Sequence, residues 1–221
     1  MSSDICKNLN EIRSEIDDNI QLVAVSKTKP VEAIKEAYDC GQRDFGENKV
    51  QEMRDKYPVL PSDIRWHLIG HLQRNKVKYI APYVHLIHSV DNLKLLREIN
   101  KQALKNKRII PVLLQIKIAQ EDTKYGMSFE EAEELLHSSE LDELPNIKIS
   151  GLMGMATNTP DAAQRKKEFH SLKLFFDKLK KQFPDFTYLS MGMSGDYPLA
   201  IEEGSNMIRV GSKIFGERKY T

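Results

Sequence analysis

Lys27 closes the apolar run Leu22-Val23-Ala24-Val25-Ser26 and is followed at once by Thr28-Lys29-Pro30. A short apolar run of this kind reads as a buried strand, and Pro30 suits the first turn of a following helix. Lys27 therefore stands where a strand hands over to a loop. A lysine that is desolvated, or set near other cations, loses its proton, and its amine then attacks carbonyl carbons to form a Schiff base. Two later stretches, Gly192-Met193-Ser194-Gly195 and Gly211-Ser212, offer backbone N–H groups that an anion can approach closely, and each adds a hydroxyl. Ordinary turns needing positive φ would explain either stretch taken alone.

The elements that must position these residues follow from hydrophobic patterning. Short apolar runs alternate with amphipathic stretches, and the predicted strands are 22–26, 43–45, 65–69, 85–88, 110–116, 147–152, 187–190 and 207–210. Ser128 and Glu131 have capping-box spacing at one helix start. Thr159 before Pro160 predicts another, which carries Phe169, Leu172, Phe176, Leu179 and Phe183 at helical spacing. Asp91 opens a third, with Leu93, Leu96, Ile99 and Ala103 on one stripe, and an additional helix near residues 4–17 precedes the first strand. Strand–helix alternation means parallel strands joined by right-handed crossovers. Eight such strands suit a closed (β/α)8, TIM-like barrel better than an open doubly wound sheet. No linker, repeat or composition break divides the chain, so residues 1–221 are expected to form one barrel domain.

Bulk composition excludes several classes of function. With 33 basic and 32 acidic side chains among 221 residues, the net charge is +1, and no global field favours nucleic acid or an anionic membrane. The basic runs at Lys76 and Lys78 and at 105–108 read as solvated helix surfaces or ends, and neither interleaves aromatics as a single-strand binding platform would. Cys6 and Cys40 make no spaced framework and read as inert thiols in a reducing cytosol. The N-terminus lacks the basic start and apolar core of a signal peptide, and no apolar run is long enough to span a bilayer. A cytoplasmic protein is expected.

In such a barrel, chemistry collects at the carboxyl ends of the strands. Those ends read Ser26-Lys27, Gly46-Glu47-Asn48, Gly70-His71, Ser89, Gln115-Ile116-Lys117, Met153-Gly154-Met155, Gly192-Met193-Ser194 and Arg209-Val210-Gly211-Ser212. The loops after strands seven and eight are the usual phosphate site, and both serine-bearing loops fall there. Arg209 can be a phosphate clamp, a partner for a heteroaromatic nitrogen or a structural salt-bridge partner; sequence alone favours the salt bridge. His67 and His71 are four apart, but a strand end and Gly70 intervene, so packing or hydrogen bonding is expected in preference to metal. His85 and His88 read as structural. Met153, Met155, Met191 and Met193 suit the apolar walling of a planar ring better than a soft metal site.

Taken in order, these segments resemble one family. Ala24-Val25-Ser26-Lys27-Thr28-Lys29-Pro30, Phe45-Gly46-Glu47-Asn48 with Val50-Gln51-Glu52, and Trp66-His67-Leu68-Ile69-Gly70-His71-Leu72-Gln73 with Asn75-Lys76 resemble the pyridoxal phosphate homeostasis proteins. So do 151–156, 189–194 with Asp196, Ala200-Ile201, Gly204-Ser205, 209–212 and Ile214-Phe215-Gly216, from about residue 20 to the C-terminus. The resemblance implies a barrel like the N-terminal domain of alanine racemase, with pyridoxal 5′-phosphate held as a Schiff base on Lys27. Lys29, held extended before Pro30, is the runner-up and is expected to point elsewhere. Ser194, Gly211 and Ser212 are implied to hold the phosphate, Arg209 to face the pyridine nitrogen, and Asn48 and Met153 to line the ring pocket. Ser212 stands where many members carry threonine, and the hydroxyl survives.

The resemblance also bears on turnover. An arginine opposite the pyridine nitrogen leaves that nitrogen unprotonated, and a neutral pyridine is a poorer electron sink. Racemisation of an amino acid, the alternative function, needs a second acid–base group on the opposite face of the substrate. In alanine racemases a tyrosine from a C-terminal β-domain supplies it, whereas this chain stops soon after its eighth strand. The expectation is therefore a vitamin B6 coenzyme-binding protein of cofactor homeostasis, not an enzyme. It is expected to be monomeric, with apo-enzymes as possible recipients of the cofactor. A sugar-phosphate aldolase is a third reading, in which Lys27 would serve a transient substrate.

Overall fold

In the computed structural model, which describes residues 4–121 and 125–217, eight strands close into a barrel in chain order. They are β1 (Gln21–Val25), β2 (Asp44–Glu47), β3 (Arg65–Leu68), β4 (Leu86–Val90), β5 (Ile110–Ile116), β6 (Ile147–Gly154), β7 (Tyr188–Met193) and β8 (Met207–Val210). Every neighbouring pair is parallel, and β8 returns to β1 with Val23 opposite Arg209. The helices between them are α2 (Val31–Asp39), α3 (Val50–Lys56), α4 (Val77–Ile80), α5 (Leu93–Lys105), α6 (Phe129–Leu136), α7 (Ala162–Lys180), α8 (Tyr197–Glu202) and the short α9 (Ser212–Phe215), with α1 (Ile5–Ser14) ahead of the barrel. The expected architecture holds. The strands predicted at 43–45 and 187–190 run to 44–47 and 188–193, because Gly46 still pairs with Val25 and His67 and β7 resumes its pairing with β8 at Met193 after a register shift.

Alternation along each strand divides the apolar residues into two sets. The larger fills the space between strands and helices, with Phe45, Trp66, Leu96, Ile99, Phe169, Leu172, Phe176 and Leu179 among its members. The smaller lies inside the barrel and consists of Val23, Leu86, Leu113, Met153 and Met207. Inside the barrel there are also buried polar groups: Asp44, His67, His88, Gln115, Ser190 and Arg209.

The helix starts were partly legible. Ser128 caps α6 in a reciprocal box with Glu131, as its spacing predicts. The α7 cap is Asp161, which accepts from the Ala163 and Gln164 N–H groups; Thr159 instead accepts from the Asp161 N–H. A carboxylate one residue past the proline outcompetes the hydroxyl before it. Asn92, not Asp91, caps α5 by accepting from Leu95 N–H.

Cys6 and Cys40 depart from expectation: they form a disulfide joining α1 to the end of α2, with Cα atoms 5.6 Å apart. The pairing comes from helix packing, which brings together residues 34 apart and lets Arg13 donate to the Cys40 carbonyl at 2.8 Å. Among the described residues, no helix is long and apolar enough to cross a membrane.

Candidate functional site

Lys27 follows the carboxyl end of β1 and is half-buried. Its place is set by the next residue: Thr28 has φ 63, the left-handed region that a β-branched residue enters only at a cost. The Thr28 N–H donates to Glu52 on α3 at 2.6 Å. Burial would raise the Glu52 carboxyl, but that N–H and the nearby Lys56 cation bring it below its usual value. Lys29 points to another task. Its ammonium donates to the carbonyls of Phe215 at 2.8 Å and Gly216 at 3.0 Å, where a cation suits the orphan carbonyls of a helix end.

Lys27 lines a cavity of about 460 Å³ at the carboxyl mouth of the barrel, within the usual range for small-molecule sites. Asn48, Ser194, Arg209, Gly211 and Ser212 line the same cavity. Met153 does not; it is fully buried among the interior apolar residues, and Met155, two residues on and past the strand end, lines the cavity instead. The strand continues two residues beyond its predicted end, which leaves Met153 within the barrel.

The two closing loops are built for close approach. Gly192 has φ +95, and a Cβ there would stand 2.7 Å from the Ala200 Cβ. The Met193 N–H donates to Asp196 at 2.6 Å, tightening the turn that presents Ser194. Ser194 Oγ in turn accepts from the Gly211 N–H at 3.1 Å, so the loops after β7 and β8 touch. A Cβ on Gly211 would stand 3.2 Å from the Val25 carbonyl oxygen, and a Cβ on Gly195 would meet nothing within 4 Å. This open cradle with two hydroxyls fits a tetrahedral anion. Gly70 fills a parallel need at the other rim, where a Cβ would lie 2.3 Å from the Asn48 carbonyl oxygen.

Arg209 is 4% exposed, and burial lowers its guanidinium to about 10. It makes no ion pair with a carboxylate among the described residues, so the salt-bridge reading gives way. It donates instead to Ser190 Oγ at 2.6 Å and to the Gly154 carbonyl at 3.1 Å. His71 and Tyr125 stack at the mouth, ring centroids 4.6 Å apart. Tyr125 was not singled out in the sequence, because it sits in a loop without pattern. Gln115 reaches the same rim and donates to the Tyr125 carbonyl at 2.8 Å.

His67 and His85 gather with Asp44 at the opposite end of the barrel, their ligand atoms within 4.8 Å of one another. Asp44 Oδ1 already accepts from Gln21 at 2.9 Å, Arg65 at 2.8 Å and His67 at 2.9 Å, so hydrogen bonds account for this cluster. His67, for which packing or hydrogen bonding is expected, is bonded to His88 at 2.9 Å.

A closed parallel barrel with a lysine past its first strand and a two-serine cradle after its last two defines a class. The family described as "Alanine racemase, N-terminal domain" matches residues 2–219. A pyridoxal phosphate homeostasis protein of Aquifex aeolicus is 43% identical over 202 residues, 90% of this chain and 88% of that one. Its counterpart in Escherichia coli K12 is 36% identical, covering 99% of both. The chain belongs to the pyridoxal phosphate homeostasis protein family. Among solved structures, PipY of Synechococcus elongatus with PLP bound is 38% identical with a TM-score of 0.86, covering 96% of this chain and 100% of that one. Alanine racemase of Clostridium difficile shares the fold, at 16% identity and TM-score 0.76, over 98% of this chain and 57% of the racemase.

Proposed function

We propose that this chain binds pyridoxal 5′-phosphate as a Schiff base on Lys27 and serves intracellular homeostasis of that cofactor without substantial turnover. The observation that carries the reading is the convergence of an amine, a buried guanidinium and a two-loop hydroxyl cradle in one cavity. The donor set matches the ligand part by part. Lys27 would hold the cofactor through its aldehyde, where condensation with the amine would replace C=O by C=N and release the oxygen as water. Ser194, Gly211 and Ser212 would take the phosphate, Arg209 the ring nitrogen, and Asn48 with Met155 would flank the ring.

Arg209 supports storage over catalysis. A guanidinium has donors only, so the ring nitrogen it faces stays unprotonated and withdraws electrons weakly. The racemase alternative draws on the shared fold and on the His71–Tyr125 pair, which could supply a second proton-carrying group at the mouth. The proposed protein acts as a monomer in the cytoplasm and passes cofactor to apo-enzymes.

The decisive experiment is a visible spectrum of protein supplied with the coenzyme, before and after borohydride, with peptide mapping of the reduced lysine. A coloured adduct on Lys27, absent from Lys27→Ala, is expected. Protein that stays colourless overturns the binding reading. Robust racemisation of alanine or serine overturns the non-catalytic one.

A further inference from the structure

Five polar side chains cross the barrel interior in single file. Asp44 lines a depression at the amino-terminal mouth with Gln21 and Arg65. Its Oδ1 lies 2.9 Å from His67 Nε2, and His67 Nδ1 lies 2.9 Å from His88 Nε2. His88 Nδ1 is 3.1 Å from Ser190 Oγ, which accepts from Arg209 Nη1 at 2.6 Å. Arg209 lines the cavity at the carboxyl mouth. His67, His88 and Ser190 are each fully buried, so water cannot complete or replace these bonds.

The donors in this file can be assigned. Burial would raise the Asp44 carboxyl, but hydrogen bonds from Arg65 and His67 hold it well below the usual range, so it is a carboxylate and accepts only. His67 must then carry its proton on Nε2. Burial first, and the buried Arg209 charge in addition, push the His88 ring well below its ordinary value, so it is neutral with a single N–H. One arrangement satisfies every atom: a proton on both His67 nitrogens would turn His88 Nδ1–H toward Ser190 Oγ, which already accepts from Arg209, and leave the buried Ser190 hydroxyl proton without an acceptor in the file. His88 Nε2–H donates to His67 Nδ1, Ser190 O–H donates to His88 Nδ1, and Ser190 Oγ accepts from Arg209. All four bonds run one way, from cation to carboxylate.

We propose that Ser190, His88, His67 and Asp44 are a positioning chain for Arg209, which fixes the plane of the guanidinium that faces the cofactor ring and links its buried charge to an anion at the far mouth. The functional half of this inference rests on the cofactor-binding reading above. Among the described residues Arg209 otherwise donates to one acceptor, the Gly154 carbonyl, and a planar fork held at a single corner can swing. With two acceptors its remaining N–H groups are aimed before any ligand arrives, which lowers the ordering cost of binding.

Two measurements test it, and they fail separately. In the wild-type protein, 15N spectra of labelled histidine should show His67 and His88 neutral, each protonated on Nε2. A proton on Nδ1 of either ring, or a doubly protonated His67 at neutral pH, overturns the assigned direction whether or not the cofactor binds. In coenzyme-loaded protein, Ser190→Ala and His88→Asn should bind the coenzyme about tenfold more weakly, the order expected for one lost hydrogen bond to a charged group. They should also shift the pH at which the visible band titrates. Folded variants with wild-type affinity and an unchanged pH profile overturn the positioning role. Wild-type protein that never takes up coenzyme sinks the cofactor reading instead, and leaves the spectra to decide the chain.

Discussion

Lys56 Nζ stands 2.7 Å from Glu47 Oε1 and 3.0 Å from the Ser26 carbonyl oxygen, so a buried ion pair braces the strand end that carries Lys27. Glu47 shares its face of β2 with Phe45, the face turned to the helices, and it also accepts from Ser26 Oγ at 2.6 Å. Burial raises the Glu47 carboxyl, more than Lys56 and Ser26 lower it. The brace acts from behind the pocket and adds no group to it.

Lys56→Met should therefore be costly out of proportion to its place on a helix. It would leave Glu47, 0% exposed, without its cation. Breaking a buried pair from one side costs about 3–5 kcal/mol, and restoring neutrality with Glu47→Gln should recover most of it. Urea melts of the two single variants and the double variant check this. The loss in Lys56→Met should shrink as pH falls, since the orphaned carboxyl then takes up a proton.

The turn after β7 predicts a second sensitivity. Gly192→Ala must hold a side chain at φ +95 and push against the Ala200 Cβ 2.7 Å away. Left-handed backbone and overpacking together cost roughly 2–4 kcal/mol. Because Gly192 precedes Ser194, coenzyme affinity should fall along with stability, whereas Gly195→Ala, whose Cβ would meet nothing within 4 Å, should leave stability unchanged. Thermal melts and coenzyme titration of both variants separate the two outcomes.

Lys27 and Lys29 should part company on substitution. Lys29→Met removes the donor to the Phe215 and Gly216 carbonyls and loosens the segment next to Ser212, but leaves the Lys27 amine in place. Weaker coenzyme binding with an intact borohydride-trapped adduct on Lys27 is expected. Mapping of the adduct to Lys29 in the wild type or in Lys27→Ala would reverse the assignment.

The disulfide between α1 and α2 should be a measurable stabiliser. Closing a loop across a separation of 34 residues contributes about 3–4 kcal/mol in the chain-entropy description. Asn8 on α1 also donates to the Ile214 carbonyl at 3.0 Å, so α1 touches the last helix as well as α2. Cys6→Ser should lower the unfolding midpoint under oxidising conditions and have almost no effect with reductant present. Equal midpoints in both conditions would show that the bond does not form in solution.

Much of this was legible because barrels repeat a simple rule. Each of the eight apolar runs became a strand, and the glycine–serine clusters at β7 and β8 fell where the phosphate loops of such barrels lie. The residues that were misread depend on three-dimensional neighbours. Cys6 and Cys40 meet through helix packing. Met153 and Met155 differ only in which side of the strand end they fall. His67 and His88 lie on neighbouring strands, and no spacing within one segment could reveal their contact. For Arg209 the residues alone favour a salt bridge, because burial with a hydroxyl and a carbonyl for partners leaves no mark in sequence, and only the family resemblance implies that it faces the ring nitrogen.

His85 and His88 set how stability falls on mild acidification. Burial lowers His85 to about 4 and pushes His88 well below its ordinary value. In the unfolded chain both take up protons near pH 6.5. Above that value neither state is protonated, and the two histidines contribute nothing. Below it the unfolded state binds protons that the folded state refuses, so stability falls with falling pH, down to about 4 for His85. Asp44 acts in the next window down: its depressed carboxyl stabilises the fold above the unfolded carboxylate range, and that share is lost only on further acidification. Unfolding midpoints measured from pH 7.5 to pH 4.5 should therefore drop steadily for the wild type. The drop should be shallower in His85→Asn, which removes one of the two protonation sites but leaves the chain from Asp44 to Arg209 intact. Parallel slopes for the two proteins would show that His85 is protonated in the folded barrel.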